Sequence, residues 1–179
     1  MSKKQAKLKS IFVRQSGSKK SKGVMIAGAR HFPCALGRNG LTHIKREGDG
    51  ATPVGRFQIL RSYFRADRVR ICASGIELER ITLDQGWCDA PGDRNYNRSV
   101  KLPYPGSHEI MWRKDRLYDF CLVLDQNYSK RMRGLGSAIF FHLATDDYRP
   151  TEGCVAIKLS DMRWLLGHIG TKTNLIIEA

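Results

Sequence analysis

At 179 residues the chain is one domain's worth of sequence, on a scale of roughly 100–200 residues per domain, and can hold a core without metals or disulfides. Hydrophobic side chains make up 41% and charged ones 27%, which excludes a disordered or fibrous chain, and no apolar run approaches the ~20 residues of a membrane span. Lys and Arg number 31 against 17 Asp and Glu, a net charge of +14; twelve of those cations precede the first carboxylate, Glu47. Such a basic first quarter suits polyanions, whether nucleic acid, anionic lipid or an acidic cell-wall polymer, or serves solubility alone.

In chain order, residues 1–9 read as a basic tail and 10–179 as a single domain. Only Ile11-Phe12-Val13 follow the basic start before Arg14 interrupts, so no ordinary signal peptide is visible. Ser16 to Gly23, polar and between two apolar runs, reads as a hairpin turn. Further strands are predicted at Cys34–Leu36, Phe57–Leu60, Ile76–Ile81, Cys121–Leu124 and Ala138–Phe141, each short and bounded by Gly, Pro, Asn or Asp. Asp84 to Arg113 is rich in Gly, Pro, Asn, Asp, aromatics and Arg, with little periodicity; it reads as a long ordered loop, and such loops are usually functional.

One helix is predicted near the C-terminus. Ser160 would cap it, Asp161 sits in its first turn, and Met162, Leu165, Leu166 and Ile169 recur at helical spacing. Gly170 would end it, and Asn174 to Glu178 reads as a closing strand. The expected fold class is mainly β with a C-terminal helix and long irregular loops.

Cys34, Cys72, Cys88, Cys121 and Cys154 are odd in number and contain no C-x-x-C pair, which excludes a fully paired disulfide framework and argues against a zinc ribbon. His31 and Cys34 would make half a metal site with nothing to complete it. Most of these thiols read as small core residues. Cys154 is the exception. A strand delivers His142 at its end, a polar loop follows, and Gly153-Cys154 opens the next apolar run. A thiol needs a base beside it, since the thiolate is the nucleophile, and an imidazole can take that proton and return it to a leaving amine. Gly153, lacking a Cβ, lets the backbone approach a substrate and aim N–H groups at an oxyanion. A structural cysteine remains the alternative reading of these residues alone.

Thr151-Glu152-Gly153-Cys154-Val155, Ser160-Asp161-Met162, and Gly170-Thr171 through Ile176-Ile177 together resemble the end of the L,D-transpeptidase catalytic domain, the YkuD-like family. Upstream, Thr52-Pro53-Val54-Gly55-Arg56-Phe57 is similar to that family's Thr-Pro-x-Gly-x-Phe turn, and Cys34 to Arg38 resembles the strand before it. The likeness runs from about Gly23 onward. Leu143-Ala144, Glu152 and Ala156 stand where the family often has Gly-Thr, His and Arg, and the His-to-Cys loop is shorter than usual.

The resemblance implies a β-sandwich with mixed sheets and a cysteine acyltransferase. Cys154 would attack a peptidoglycan stem tetrapeptide, release D-Ala and pass the acyl group to an acceptor amine. His142 would be its base, oriented by a backbone carbonyl, and the Gly153 and Cys154 N–H groups the oxyanion hole. No metal or organic cofactor is implied. The resemblance points to the periplasm or cell envelope, whereas a chain without a visible leader leaves the cytoplasm open. Within the middle segment, Tyr96, Arg98, Trp112 and Arg113 are the candidate substrate-binding residues, because stem carboxylates suit bidentate Arg and sugar or peptide faces suit aromatics. Asp146, Asp147 and Glu152 read as solvated loop charges, and His31, His43, His108 and His168 as ordinary structural histidines. Two rival functions remain: a Cys-dependent carboxypeptidase or amidase on cell-wall peptides, and a basic nucleic-acid-binding module. No helix-turn-helix, RNP-like or zinc-finger pattern supports the second.

Overall fold

The computed structural model describes residues 6–71 and 73–179; Cys72 and the first five residues of the expected tail lie outside that range. The strands are β1 (Ser10–Gln15), β2 (Lys22–Ala27), β3 (Arg30–Ala35), β4 (Leu41–Thr42), β5 (Thr52–Pro53), β6 (Gly55–Phe64), β7 (Glu79–Arg80), β8 (Gln85–Cys88), β9 (Arg98–Lys101), β10 (His108–Ile110), β11 (Phe120–Leu124), β12 (Phe140–Leu143) and β13 (Val155–Ile157). Helix α1 (Leu159–His168) and strand β14 (Asn174–Glu178) complete the chain. The fold is mainly β with mixed sheets and one C-terminal helix.

The principal sheet runs β11-β12-β13-β3-β2-β1-β14-β6-β7, and β6 also pairs with β11, so the sheet curls back on itself through that strand. β6 is ten residues long and serves both neighbours in turn: Gly55–Gln58 face β14 and Ile59–Phe64 face β11, across an irregularity at Val123/Leu124. Such breaks in register bend a strand and raise its twist, which a closing sheet needs. The polar run after β1 makes the expected hairpin, with Phe12 opposite Ile26. Of the predicted run Ile76–Ile81, only Glu79–Arg80 pairs as a strand; at its start the Ile76 backbone is bonded to the Ser74 hydroxyl instead.

Two hydrophobic clusters lie on the two faces of the central strands. The larger one gathers Ile11, Val13, Met25, Leu122, Phe141 and Val155 beneath the helix residues Met162, Leu165 and Leu166. The smaller one gathers Cys121, Val123, Phe140 and Cys154 with Tyr63, Trp87, Met111 and Tyr118. β11 and β12 are buried at every position; covered on both faces, they read as continuous apolar runs rather than alternating ones. Their period of two still sorts side chains, so Phe140 and His142 share one face while Phe141 and Leu143 take the other.

The segment Asp84–Arg113, expected to be a loop, instead carries a three-stranded antiparallel sheet in the order β10-β8-β9. Its strands are three or four residues long, too short to print a period. Trp87 anchors it, fully buried, edge-on to Phe140 at 5.3 Å with its indole N–H donating to Asn97 Oδ1 at 3.1 Å.

Ser160 does not cap α1. The cap is Lys158 in extended backbone, with no side-chain hydrogen bond, and Asp161 supplies the first-turn negative charge. Residues 7–9 are pinned rather than loose: Leu8 N–H donates to His168 O at 2.8 Å, and Asn174 N–H to Lys9 O at 3.0 Å. Several cations of the basic first quarter are likewise engaged. Arg14 pairs with Glu178, Arg38 with Glu152 and Lys45 with Asp49, while Lys22 donates to the Asp147 and Tyr148 carbonyls. Because Leu165 is fully buried where α1 meets the sheet, Leu165→Ala is expected to cost about 2–5 kcal/mol, read as a lower urea midpoint with the slope unchanged.

Candidate active site

The parallel pairing of β12 with β13 places Phe141 beside Val155 and His142 beside Ala156. Continued one residue back, it sets Cys154 beside Phe140, and the Phe140 N–H donates to Cys154 Sγ at 3.2 Å. His142 lies two residues further along the same face, diagonal to the thiol. Both side chains line one cleft of about 790 Å³, together with Tyr118, Glu109, Arg113 and Arg149. The strand ends and the loop between them thus bring the two predicted groups together.

Cys154 is 8% exposed, and its thiol also donates to Ala138 O at 3.3 Å. Burial pushes the thiol up to about 12; the Phe140 N–H and the charge of Lys45 pull the other way, while Glu109 and Glu152 add to the rise. His142 is 5% exposed, and burial holds its imidazole down to about 4. At neutral pH the resting pair is therefore thiol and neutral imidazole. Leu143 O lies 2.9 Å from His142 Nδ1. A carbonyl can only accept, so Nδ1 carries the hydrogen and Nε2 keeps its lone pair, the arrangement a general base needs. Tyr118 closes over the ring edge-on, at 5.3 Å between centroids.

The turn before Cys154 is held by hydroxyls. Thr151 Oγ1 donates to Cys154 O at 2.7 Å, and Thr52 Oγ1, from the Thr-Pro turn, donates to the same carbonyl at 3.3 Å. Thr52 also accepts the Gly37 N–H at 2.8 Å, so the two sequence motifs and the strand before them meet at the backbone of Cys154. Gly153 has φ +131°, and a Cβ there would sit 2.8 Å from Ala51 O; only glycine fits without strain. Of the two backbone donors expected at an oxyanion, the Gly153 N–H already donates to Thr151 Oγ1 at 3.2 Å.

The four substrate-binding candidates separate. Arg113 lines the cleft, but its guanidinium is held by both oxygens of Asp115, at 2.9 and 2.7 Å, and lies 3.6 Å from Glu109. Trp112 lies under the Arg65 guanidinium at 3.6 Å and is not among the cleft's lining residues. Tyr96 is 2% exposed, its hydroxyl donating to Glu47. Arg98 stacks on Tyr128 at 3.7 Å in a separate groove with Arg61, Arg80 and Lys101. His108 and His168 make loop and helix hydrogen bonds to Gly106 O and Trp164 O, each at 2.7 Å. Among the described residues no cluster of three or more His, Cys, Asp or Glu could hold a metal.

Sequence reading did not single out Tyr118, Glu109, Glu47 or Lys45. Tyr118 precedes β11 and Glu109 sits in the three-residue β10, where nothing in the pattern marks either. Glu47 accepts from Tyr96 and, at 2.8 Å, from Ser137. Lys45 is 7% exposed, a burial that a run of polar residues conceals.

Two outcomes follow from this geometry. Gly153→Ala is expected to lower stability by about 1–3 kcal/mol and to slow alkylation of Cys154, read by thermal melting and a thiol assay. Between pH 6.5 and about 4, an unfolded His142 takes up a proton that the folded one refuses. Stability should therefore fall as pH falls through that window, and less steeply in His142→Gln, in urea titrations at stepped pH.

The model of the YkuD family, the L,D-transpeptidase catalytic domain, matches residues 18–177. No curated protein matches the sequence. Among solved structures, Bdellovibrio bacteriovorus Bd1075 is 14% identical with a TM-score of 0.47, covering 97% of this chain and 51% of its own. L,D-transpeptidase 3 from Mycobacterium tuberculosis is 13% identical with a TM-score of 0.44, covering 94% of this chain and 61% of its own. L,D-transpeptidase 1 from the same organism is 12% identical with a TM-score of 0.36, with the same coverages of 94% and 61%. The chain thus spans between half and two thirds of the length of these structures. Matched over nearly its whole length, it belongs to the YkuD family of L,D-transpeptidase catalytic domains.

Proposed function

We propose that this chain is a peptidoglycan L,D-transpeptidase acting through Cys154 and His142. The observation that supports the reading is the diagonal placement of His142 on β12 and Cys154 at the start of β13, both lining one cleft, with Nδ1 of His142 committed to Leu143 O so that Nε2 keeps its lone pair. In the acylation step the Cys154 proton passes to His142 Nε2 as sulfur attacks the carbonyl between the third and fourth stem residues. The amide C–N bond breaks, His142 returns the proton to the departing D-Ala amine, and a thioester remains on Cys154. An amine of a second stem then attacks that thioester, His142 accepts its proton, and the sulfur leaves and is reprotonated.

Moving the proton together with the attack suits the local electrostatics. Burial opposes a free thiolate and a free imidazolium alike, so neither need accumulate before substrate arrives. Substrate would fill the cleft, exclude water and place its own carbonyl dipole against the sulfur. The stem peptide is the substrate class that the family implies, and the cell envelope is where such stems are found. No described helix is long and apolar enough to cross a membrane.

Intact-mass spectrometry with a tetrapeptide donor or a carbapenem is the test. The expected result is one covalent adduct on the wild type and none on Cys154→Ala. An unmodified wild type, under conditions that acylate a working family enzyme, would overturn the proposal. Product analysis on muropeptides then separates cross-linked dimer, the transferase outcome, from trimmed monomer alone, the carboxypeptidase outcome.

A further inference from the structure

Proton transfer within the dyad does not require Lys45, yet the placement of this lysine is specific. Its side chain is 6% exposed and runs between two glycines that both have positive φ. A Cβ on Gly136 would lie 2.8 Å from Lys45 Cγ, and one on Gly153 would lie 3.2 Å from Lys45 Nζ. The missing side chains of these two glycines make the slot that the lysine fills. The ammonium is paired with Asp49. Burial works to raise that carboxyl, but hydrogen bonds from Lys45, Arg46 and Ala51 outweigh it and leave it below the usual range. Asp49 is thus an anion that fixes a cation directly against the peptide preceding the nucleophile.

We propose that Lys45 is a positioning residue for Cys154: its buried ammonium, held by Asp49 against Gly153, favours the thiolate and steadies the turn that presents it. The inference rests on the reading of Cys154 as the nucleophile. The charged and titratable groups around the thiol come from every side of the site. Lys45 approaches from the loop between β4 and β5, Glu109 from β10, and Glu152 from the turn itself. His142 comes from β12, Cys121 from β11 and Tyr118 from the turn before it. Glu109 and Glu152 oppose a negative sulfur, and Arg113 is already held by Asp115 and Glu109. Lys45, packed against the peptide that precedes Cys154, acts on the thiol in the favourable direction, since a nearby opposite charge favours the ionised form.

A lysine that only fills space would leave no electrostatic trace, so the test reads charge. Cys154 is alkylated at pH 8 with neutral iodoacetamide and, separately, with anionic iodoacetate; in each case the thiolate displaces iodide and forms an S–C bond, and Cys154→Ala supplies the background. Lys45→Met is expected to slow iodoacetamide several-fold, because the thiolate loses a nearby cation, and to slow iodoacetate more, because the attraction for the anionic reagent is lost as well. Lys45→Arg should restore both rates. Asp49→Asn, which keeps the lysine and removes its counter-ion, should raise the iodoacetate-to-iodoacetamide ratio, and it decides the matter if Lys45→Met fails to fold. A ratio identical to wild type in the variant that folds would overturn the role of Lys45 while leaving Cys154 as nucleophile. A wild-type Cys154 that neither these reagents nor the tetrapeptide donor modifies would overturn both.

Discussion

The parallel pairing of β12 with β13 is the constraint on which the chemistry depends. A parallel neighbour must be reached by a crossover, and here residues 144–154 make it, returning the chain to the end of β12 at which it can lay Cys154 beside Phe140. Because side chains alternate along a strand, that one register choice sends Phe140, His142 and Cys154 to the same face. A slip by one residue would put His142 into the larger core, on the opposite face from the thiol. The buried aromatics of the smaller cluster, Trp87, Phe140 and Tyr118, hold this register from the side that faces the cleft.

Burial sets the character of the site as much as proximity does. The same desolvation that raises the thiol lowers the imidazole, and it keeps the resting pair uncharged. Reactivity then has to come from groups that are already fixed in place: the Phe140 N–H on sulfur, the Leu143 carbonyl on Nδ1, and the threonine hydroxyls that hold the Cys154 peptide. Groups fixed before substrate arrives need no rearrangement at the moment of reaction. The Thr-Pro turn far upstream matters for this reason, since Thr52 ties Gly37 and Cys154 to a single hydroxyl.

Much of this was legible in the sequence, and the failures have physical causes. Asn174–Glu178 and the hairpin around Ser16–Gly23 are bounded by turn residues and carry clear apolar runs, so their limits are printed in the chain. Cys154 and His142 are framed by a strand end, a glycine and a polar loop, a pattern that leaves a structural cysteine equally open, and the family resemblance singles them out. The sheet of β8, β9 and β10 does not stand out, since strands this short hold too few residues to show a period, and its anchor Trp87 looks like any loop aromatic. Tyr96, Arg98 and Trp112 share the composition of a ligand cleft, yet composition does not tell which side of a small sheet a residue faces: the first is packed inside, and the other two stack on partners away from the thiol. Lys45 is the reverse case. Its burial requires two distant glycines to leave room, a condition that no local pattern encodes.

The direction of proton transfer within the pair is the central claim, and it stands on which ring nitrogen of His142 is bare. Nitrogen-15 NMR of histidine-labelled protein near neutral pH reads this directly. The expected spectrum assigns His142 as a neutral ring with hydrogen on Nδ1 and none on Nε2. An imidazolium, or a ring with its hydrogen on Nε2, would contradict the claim, because neither has a lone pair on Nε2 to accept the proton of Cys154.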